Sequence, residues 1–302
     1  MREQKPAVIT DGRFFDEAQR HFGDQATLLP EEPEARREAL GDALESSGGV
    51  LMICGADDLV GRVVTAYWRA PELGALPLSL VALDLGDSLS APLSGSLDPA
   101  EAASRRHEGV SSWQRESVKT LKVTASTEAA ARFGFSLGVG WVHRAYEARR
   151  RREQGAGQAA AAWARLATDS WRQDDGLPVA QRLTVDGAPR DSGSGSLVAT
   201  TLPRTFFGLG GGAPGPKLWA NLPTATLIRQ ALTPDALERG APGAAAFSCV
   251  HLDAPTGWVL DGELLDPDPA ALVQIIPGPA VTFLRTPGGL RSTLKRWIPG
   301  RR

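Results

Sequence analysis

The feature that most constrains this 302-residue chain is a set of short, mostly apolar runs near its start. Residues 6–10 read PAVIT, residues 50–54 read VLMIC and residues 77–85 read PLSLVALDL. Runs that are apolar on both faces are typical of parallel strands covered by helices. The spacing of apolar residues predicts helices over 33–46 and 59–69 between them. We therefore predict an α/β fold with a parallel sheet for this part of the chain.

The pattern changes after about residue 95, where short strands separated by turn residues begin. This spacing predicts a β-sandwich, interrupted by a basic, Ala-rich helical stretch near 141–173. We predict an N-terminal α/β, Rossmann-like three-layer domain over 1–110, a C-terminal β-sandwich domain over 111–290, and a basic tail over 291–302.

Composition excludes several classes of protein. The formal net charge is −2, which indicates no nucleic-acid partner. Two cysteines, Cys54 and Cys249, are too few for a disulfide or zinc framework. The start lacks a signal-peptide core, and no apolar run approaches the ~18 residues of a membrane span.

We expect a cytoplasmic protein, with peripheral contact at the inner membrane through the basic tail as an option. The oligomeric state stays open.

The first candidate site follows the apolar strand 50–54. Gly55, Ala56, Asp57, Asp58 and Leu59 form a small-residue turn before a predicted helix. Free N–H groups at a helix N-terminus bind phosphate well, and small residues let the backbone approach it. A plain tight turn with an aspartate as helix cap explains the same residues. Both interpretations stay open at this point.

The second candidate site is Asp261-Gly262-Glu263, which lies between two apolar strands. On an extended segment, two carboxylates two residues apart point the same way. Either could act as a general base on a hydroxyl group. Asp-Gly is also a common hairpin turn, which would leave Glu263 in solvent.

Weaker signals accompany these two sites. A glycine run at 208–212 would allow close approach of a ligand or of another segment. The four histidines show no pairing at metal-ligand spacing, so the sequence identifies no metal site.

The order of these motifs resembles the bacterial diacylglycerol-kinase-like lipid kinases, which are related to the sphingosine kinases. The similarity extends over nearly the whole chain. The matching segments, in order, are VLMIC with Gly55–Leu59, PLSLVALDLGDS, FGFSLGVGWVHRA, LTVDG, SLVATTLPRTFFGLGGG, and Asp261-Gly262-Glu263 with IPGPAV. Their order and spacing carry the resemblance more than any one of them does.

The resemblance implies an α/β nucleotide domain, a β-sandwich domain, and ATP with Mg²⁺ held between them. It implies phosphorylation of a lipid hydroxyl group, with Asp261 as general base and Glu263 beside it. ATP would contact the Gly55–Leu59 loop and a second loop that contains Gly86 and Asp87. The resemblance assigns no metal ligand in this chain.

Several phosphate-facing positions depart from the family pattern. Ala56, Asp58 and Leu59 stand where the family has glycine, glycine and threonine. Ser136 and Thr200 stand where two later motifs have asparagine. Two hypotheses follow. The chain is an active lipid kinase, or it is a catalytically silent relative that uses no cofactor and binds a lipid or a protein partner between its domains.

Overall fold

A computed structural model describes residues 5–83, 85, 93–94, 97–106, 112–152, 180–191, 196–202, 215–222, 244–253, 255–266 and 268–285. The chain divides into two compact units. The first comprises Met1–Val118 with Ala280–Arg302, and the second comprises Lys119–Pro279. Residues 280–285 thus belong to the first unit, although the predicted second domain extends to residue 290.

The first unit is built from short strands and helices that alternate along the chain. Its strands are β1 (Ala7–Thr10), β2 (Ala26–Leu28), β3 (Val50–Cys54), β4 (Ser79–Ala82) and the end of the last strand, β16 (Leu272–Arg285). Its helices are α1 (Phe15–Phe22), α2 (Pro33–Ser47), α3 (Asp57–Arg69), the short α4 (Pro71–Gly74) and α5 (Pro99–Arg106).

The strands of this unit form a parallel sheet in the order β2-β1-β3-β4-β16. Val8 of β1 lies beside Met52 of β3, and Ser79 of β4 lies beside Thr282 of β16. Successive side chains of a strand point to opposite faces of the sheet. On one face, Val8 and Met52 pack with Phe22 of α1. Helix α2 contacts β1, β3 and α3. The α/β three-layer prediction is confirmed.

Local sequence signals explain where α2 begins and ends. The carboxylate of Glu32 accepts hydrogen bonds from the backbone N–H groups of Glu34 and Ala35, which caps the helix. Gly48 then ends the helix in the left-handed region, at φ 63°. The helix is one residue longer than predicted.

Two other predictions near the candidate loop need correction. Helix α3 begins at Asp57, two residues before the predicted start at Leu59. Because Asp57 and Asp58 lie in its first turn, they belong to the helix and not to a loop. Strand β4 is shorter than the predicted run 77–85.

In its described residues, the second unit contains many strands and one helix. Strand β5 (Gln114–Ala125) begins in the first unit and continues into the second unit. The other elements are β6 (Arg132–Gly134), β7 (Ser136–Gly140), α6 (Trp141–Arg152), β8 (Arg182–Val185), β9 (Ala188–Arg190), β10 (Ser196–Thr200), β11 (Lys217–Leu222), β12 (Ala245–Ala246), β13 (Val250–Asp253), β14 (Trp258–Leu260) and β15 (Glu263–Leu265).

These strands form two sheets that share one core. One sheet has the order β6-β5-β16-β13-β8-β9, and the other has the order β12-β11-β10-β7-β14-β15. Val250 and Ile275 from the first sheet pack in the same buried cluster as Leu137 and Leu197 from the second. Two antiparallel sheets packed face to face make a sandwich, so the predicted fold class is confirmed for this unit.

Parts of two further predictions lie outside the described residues. The helical stretch near 141–173 is described only as far as α6, and the basic tail 291–302 is not described. Within the described part of the chain, no helix is long and apolar enough to span a bilayer.

Candidate functional site

The turn after β3 is tightly packed in this chain. Gly55 is buried, and a Cβ atom at that position would lie 2.2 Å from Cδ2 of Leu59 and 3.2 Å from Oδ2 of Asp11. Leu59 itself is fully buried. The glycine is therefore needed so that a leucine of the following helix and an aspartate after β1 can both approach the turn.

A cluster of four charged side chains lies where β1 and β3 end; we call it the Asp58 cluster, and it comprises Asp11, Arg13, Asp58 and Arg62. Arg13 donates from Nη2 to Oδ2 of Asp11 at 2.9 Å and to Oδ1 of Asp58 at 2.5 Å. Arg62 approaches the same two acids, with N–O distances of 3.5 Å to Asp11 and 3.6 Å to Asp58. Each acid thus faces both arginines.

The Asp58 cluster is electrically balanced within itself. Burial lowers the pKa of the Arg13 guanidinium, but hydrogen bonds and charges of Asp58 and Asp11 outweigh burial and raise the pKa above its usual value. Asp58, which stands where the family has glycine, is therefore paired with arginine. Asp58 therefore competes with any anion that would use these two arginines.

The N-terminus of α3 carries acidic side chains of its own. Ala56 is the N-cap residue and offers no side-chain hydrogen bond. Asp57, which is 5 % exposed, and Asp58 form the first turn. Carboxylates at this end of a helix interact favourably with its dipole, as a phosphate group would.

These residues do not fit the polyphosphate of ATP. Leucine fills the space beside Gly55, and two carboxylates stand at the helix N-terminus. Arg13 is hydrogen-bonded to Asp58, and Arg62 forms a longer ion pair with the same acid. In the described part of the chain, no group of three His, Cys, Asp or Glu residues could hold a metal ion. The second predicted loop, with Gly86 and Asp87, lies outside the described residues.

Asp261 occupies a different kind of position, in the hairpin between β14 and β15. Asp261 and Gly262 both have positive φ, at 49° and 90°, as expected for a two-residue hairpin turn. The hypothesis that the two carboxylates lie on an extended segment is wrong, because Asp261 belongs to the turn. The Asp-Gly turn that the sequence left open is present.

The Asp261 side chain is 2 % exposed and fastens this turn to the neighbouring strand. Its Oδ1 accepts hydrogen bonds from the backbone N–H groups of Phe135 at 3.0 Å and of Ser136 at 2.8 Å. Its Oδ2 accepts a second contact from Phe135 at 2.8 Å. Both carboxylate oxygens are thus engaged with backbone.

Glu263 faces an arginine. Its carboxylate lies 2.6 Å from Arg132, and Arg132 also binds Glu128 at 2.8 Å. Burial lowers the pKa of Arg132, but hydrogen bonds and charges of Glu128 and Glu263 outweigh burial and raise it. Glu263 is therefore held in an ion-pair network.

The structure brings together three motif positions that the sequence analysis had considered separately. Ser136 and Thr200 are neighbours on β7 and β10, and Asp261 binds the backbone N–H of Ser136. The Thr200 hydroxyl donates to the carbonyl oxygen of Phe135 at 2.8 Å. The glycine run at 208–212 lies outside the described residues.

Sequence reasoning missed the arginines of these networks. Arg62 lies four residues after Asp58 on one helix, which is a signal for a side-chain pair. Arg13 and Arg132 pair with acids 45 and 131 residues away. No local pattern reveals pairs at such separation.

Comparison with solved structures identifies proteins that share the fold of this chain. No family model matches the sequence, and no curated protein matches it. Among solved structures, a protein from Bacillus anthracis str. Sterne assigned as a diacylglycerol kinase superimposes with a TM-score of 0.58 at 12% identity, covering 95% of this chain and 99% of that one. A second diacylglycerol kinase structure from the same organism gives a TM-score of 0.56 at 11% identity, covering 95% and 98%. The chain has the two-domain fold of these proteins.

Proposed function

We propose that this chain is a lipid-binding protein of the diacylglycerol-kinase fold that has lost ATP-dependent phosphoryl transfer. The observation that carries the proposal is the pairing of Asp58 with both Arg13 and Arg62 in the first turn of α3. The fold supports a common origin with the diacylglycerol kinases, and the contacts of Asp58 support the loss of ATP-dependent phosphoryl transfer.

The physical argument concerns charge at the N-terminus of α3. Phosphoryl transfer depends on positioning and charge neutralisation of the nucleotide. An unpaired carboxylate 5 Å from a phosphate charge would cost about 3 kcal/mol at an effective dielectric of about 20. Asp58 offsets part of that cost by pairing with Arg13 and Arg62, but a phosphate group would then have to compete with Asp58 for these two arginines. ATP binding is therefore weakened whether Asp58 is unpaired and repels the phosphate or is paired and occupies the arginines.

Both carboxylates of the second candidate site, Asp261 and Glu263, are engaged in contacts within the protein. Asp261 accepts backbone hydrogen bonds with both oxygens, and Glu263 pairs with Arg132. A general base needs a free lone pair within reach of the proton that it takes. These contacts favour a structural role for the pair.

Calorimetry with ATP and Mg²⁺ tests the loss of nucleotide binding. We expect no binding by the unaltered chain at millimolar ATP. The triple variant Ala56→Gly, Asp58→Gly, Leu59→Thr should bind measurably, because it restores the pattern of the family. Asp58→Gly alone is measured beside it, since Leu59 is fully buried and its replacement endangers folding.

A matched control uses another helix. Glu34→Gly removes an exposed acid from the first turn of α2. It should leave ATP binding unchanged in either background. A micromolar dissociation constant for the unaltered chain would refute the proposed loss.

Lipid binding is tested separately with vesicles. We expect the chain to co-sediment with phosphatidylcholine vesicles that contain diacylglycerol more strongly than with pure phosphatidylcholine vesicles. Peripheral contact at the inner membrane is part of this proposal. Equal sedimentation with both vesicle types would reject a lipid with a free hydroxyl as the ligand.

An active lipid kinase is the second candidate. The convergence of Asp261, Ser136 and Thr200 at one end of β7 favours it, since three motif positions of the family remain together. Incubation with Mg²⁺, labelled ATP and mixed lipid vesicles decides the question. Labelled phospholipid would support this candidate and overturn the first one.

A further inference from the structure

A buried histidine in the second unit takes no part in either candidate site. His143 lies in the first turn of α6 and is 9 % exposed. Its Nε2 atom is enclosed by protein and has no hydrogen-bond partner among the described residues. Burying a polar atom without a partner costs free energy, so it disfavours the conformation that encloses the atom. The position of this ring therefore needs an explanation.

Helix α6 lies closely against the second sheet of the sandwich. It contacts β7, β10, β14 and β15. Val142 of the helix packs with Val198 of β10 and Val259 of β14. Gly138 of β7 permits this approach, because a Cβ atom there would lie 2.2 Å from Cγ1 of Val142. The helix thus covers an apolar patch of this sheet.

The ring of His143 is fitted against the turn that precedes β14. A Cβ atom at Gly257 would lie 2.9 Å from Cε1 and 3.1 Å from Nδ1 of the ring, and Gly257 has a positive φ of 104°. The ring therefore contacts backbone on this side. A protonated ring in the same place would lose its hydration, and its Nε2–H group would have no acceptor in the described structure.

The charges around the ring do not compensate for its burial. Burial is the largest influence and lowers the pKa of His143 below its ordinary value of 6.5. The negative charges of Glu147 and Asp266 act in the opposite direction, and the positive charge of Arg144 adds to the lowering. Among the described residues, the strands that α6 contacts add one further charged side chain, Glu263 of β15, which is already in an ion pair. The ring is therefore uncharged at neutral pH.

We propose that His143 is an acid-sensitive switch, which keeps α6 on the sheet while its ring is neutral and releases the helix when the ring takes up a proton from solvent. The protonated ring leaves the Gly257 turn and carries its charge into water, beside Glu147 one turn further along the helix. Release uncovers Val198 and Val259. An acidic environment thus opens this apolar patch to other molecules.

The direction of the pH effect follows from proton binding in the two states. The released ring has the ordinary pKa of 6.5, and the enclosed ring has a lower pKa. Between these two values the released state binds a proton that the closed state does not bind, so the closed state loses stability as the pH falls. The ratio of released to closed helix should rise up to about tenfold per pH unit in this window.

Hydrogen exchange of the full chain, followed by mass spectrometry, measures the release. Labelling at pH 7.5 and pH 5.5 is compared after correction for the intrinsic pH dependence of exchange. Asp and Glu ordinarily titrate near pH 4, so histidines dominate the change in this range. Peptides from α6 and from the Gly257 turn should lose protection by up to about tenfold at pH 5.5, while β1 and β3 should keep theirs. Equal protection of α6 at both pH values overturns the proposal.

Variants separate His143 from other titrating groups. His143→Gln supplies an amide that does not titrate, so the protection of α6 should become independent of pH in this range. His21→Gln is the matched control, because His21 lies on α1 and contacts Glu17. It should leave the pH dependence of α6 unchanged. A His143→Gln chain with the pH dependence of the unaltered chain overturns the proposal.

A titration of the unaltered chain by nuclear magnetic resonance does not depend on the folding of His143→Gln. The ring signals of His143 are assigned by replacing His21, His107 and His251 one at a time. The titration midpoint of His143 should lie below pH 6.5. A midpoint at or above pH 6.5 overturns the proposal, whatever the variants show.

Discussion

Gly55 shows at the scale of one residue how a glycine after a strand can be required by packing. Its missing side chain makes room for Leu59 and Asp11 of the same chain. Close approach by protein atoms explains a glycine as well as close approach by phosphate does. The residue type alone therefore could not decide its role.

Replacing Gly55 tests this account. Gly55→Ala should lower the free energy of unfolding by about 2 kcal/mol, because the new Cβ overlaps Leu59 in a packed region. Gly74→Ala is the control, since a Cβ there meets nothing within 4 Å. Urea unfolding measures both variants. Equal stability of the two would contradict a packing role for Gly55.

Asp261 offers a second test at residue scale. Asp261→Ala leaves the N–H groups of Phe135 and Ser136 without their acceptor and should cost about 3 kcal/mol of stability. Asp261→Asn should cost less, because asparagine tolerates positive φ and keeps one acceptor oxygen. Urea unfolding measures this difference. If Asp261→Ala unfolds at the urea concentration of the unaltered chain, Asp261 has no structural role.

At the scale of elements, the sequence predicted what depends on local pattern. The run VLMIC became β3 with the predicted bounds, and Pro33 became the first residue of α2. The chain positions of Asp58 and Arg13 could not predict their contact, because it depends on β1 and β3 lying side by side. The sequence Asp261-Gly262 was compatible with either a strand or a hairpin turn. The pairing of β14 with β15 on either side of it decides for the turn.

The cap of α2 makes a pH-dependent prediction. Hydrogen bonds from Ala35 and Glu34 lower the pKa of Glu32. A lowered folded-state pKa stabilises the fold above the ordinary pKa of glutamate, and this contribution disappears as the pH falls through the folded-state pKa. Glu32→Ala should therefore lower Tm at pH 7 and have little effect near pH 2.

Calorimetric melting at both pH values checks the Glu32 cap. Glu31→Ala is the matched control, since Glu31 is an exposed neighbour whose side chain caps nothing in the described structure. A Glu32→Ala deficit of the same size at both pH values would show that the carboxylate charge is not what caps the helix.

At the scale of the whole molecule, β16 belongs to both units. Its first half pairs with β13 in the sandwich, and its second half pairs with β4 in the parallel sheet. Phe283 in that second half is fully buried. The α/β unit is therefore completed by residues from the far end of the sequence.

Phe283→Ala tests the importance of this strand. Removing a fully buried aromatic ring should cost about 4 kcal/mol. Hydrogen exchange should show the loss of protection first in β3 and β4 of the first unit. Leu272→Ala, at the exposed start of the same strand, should change little. Loss of protection in the sandwich alone would contradict this assignment.

The position of β16 has a consequence for synthesis on the ribosome. Residues 280–285 emerge only after every residue of the second unit has been made. Until then β4 lacks its neighbour on that side, although β1 to β4 were translated long before. The N-terminal unit therefore stays incomplete until the sandwich, which needs the first half of β16, has also been made. Nascent chains stalled before residue 280 should expose this open sheet edge to chaperones.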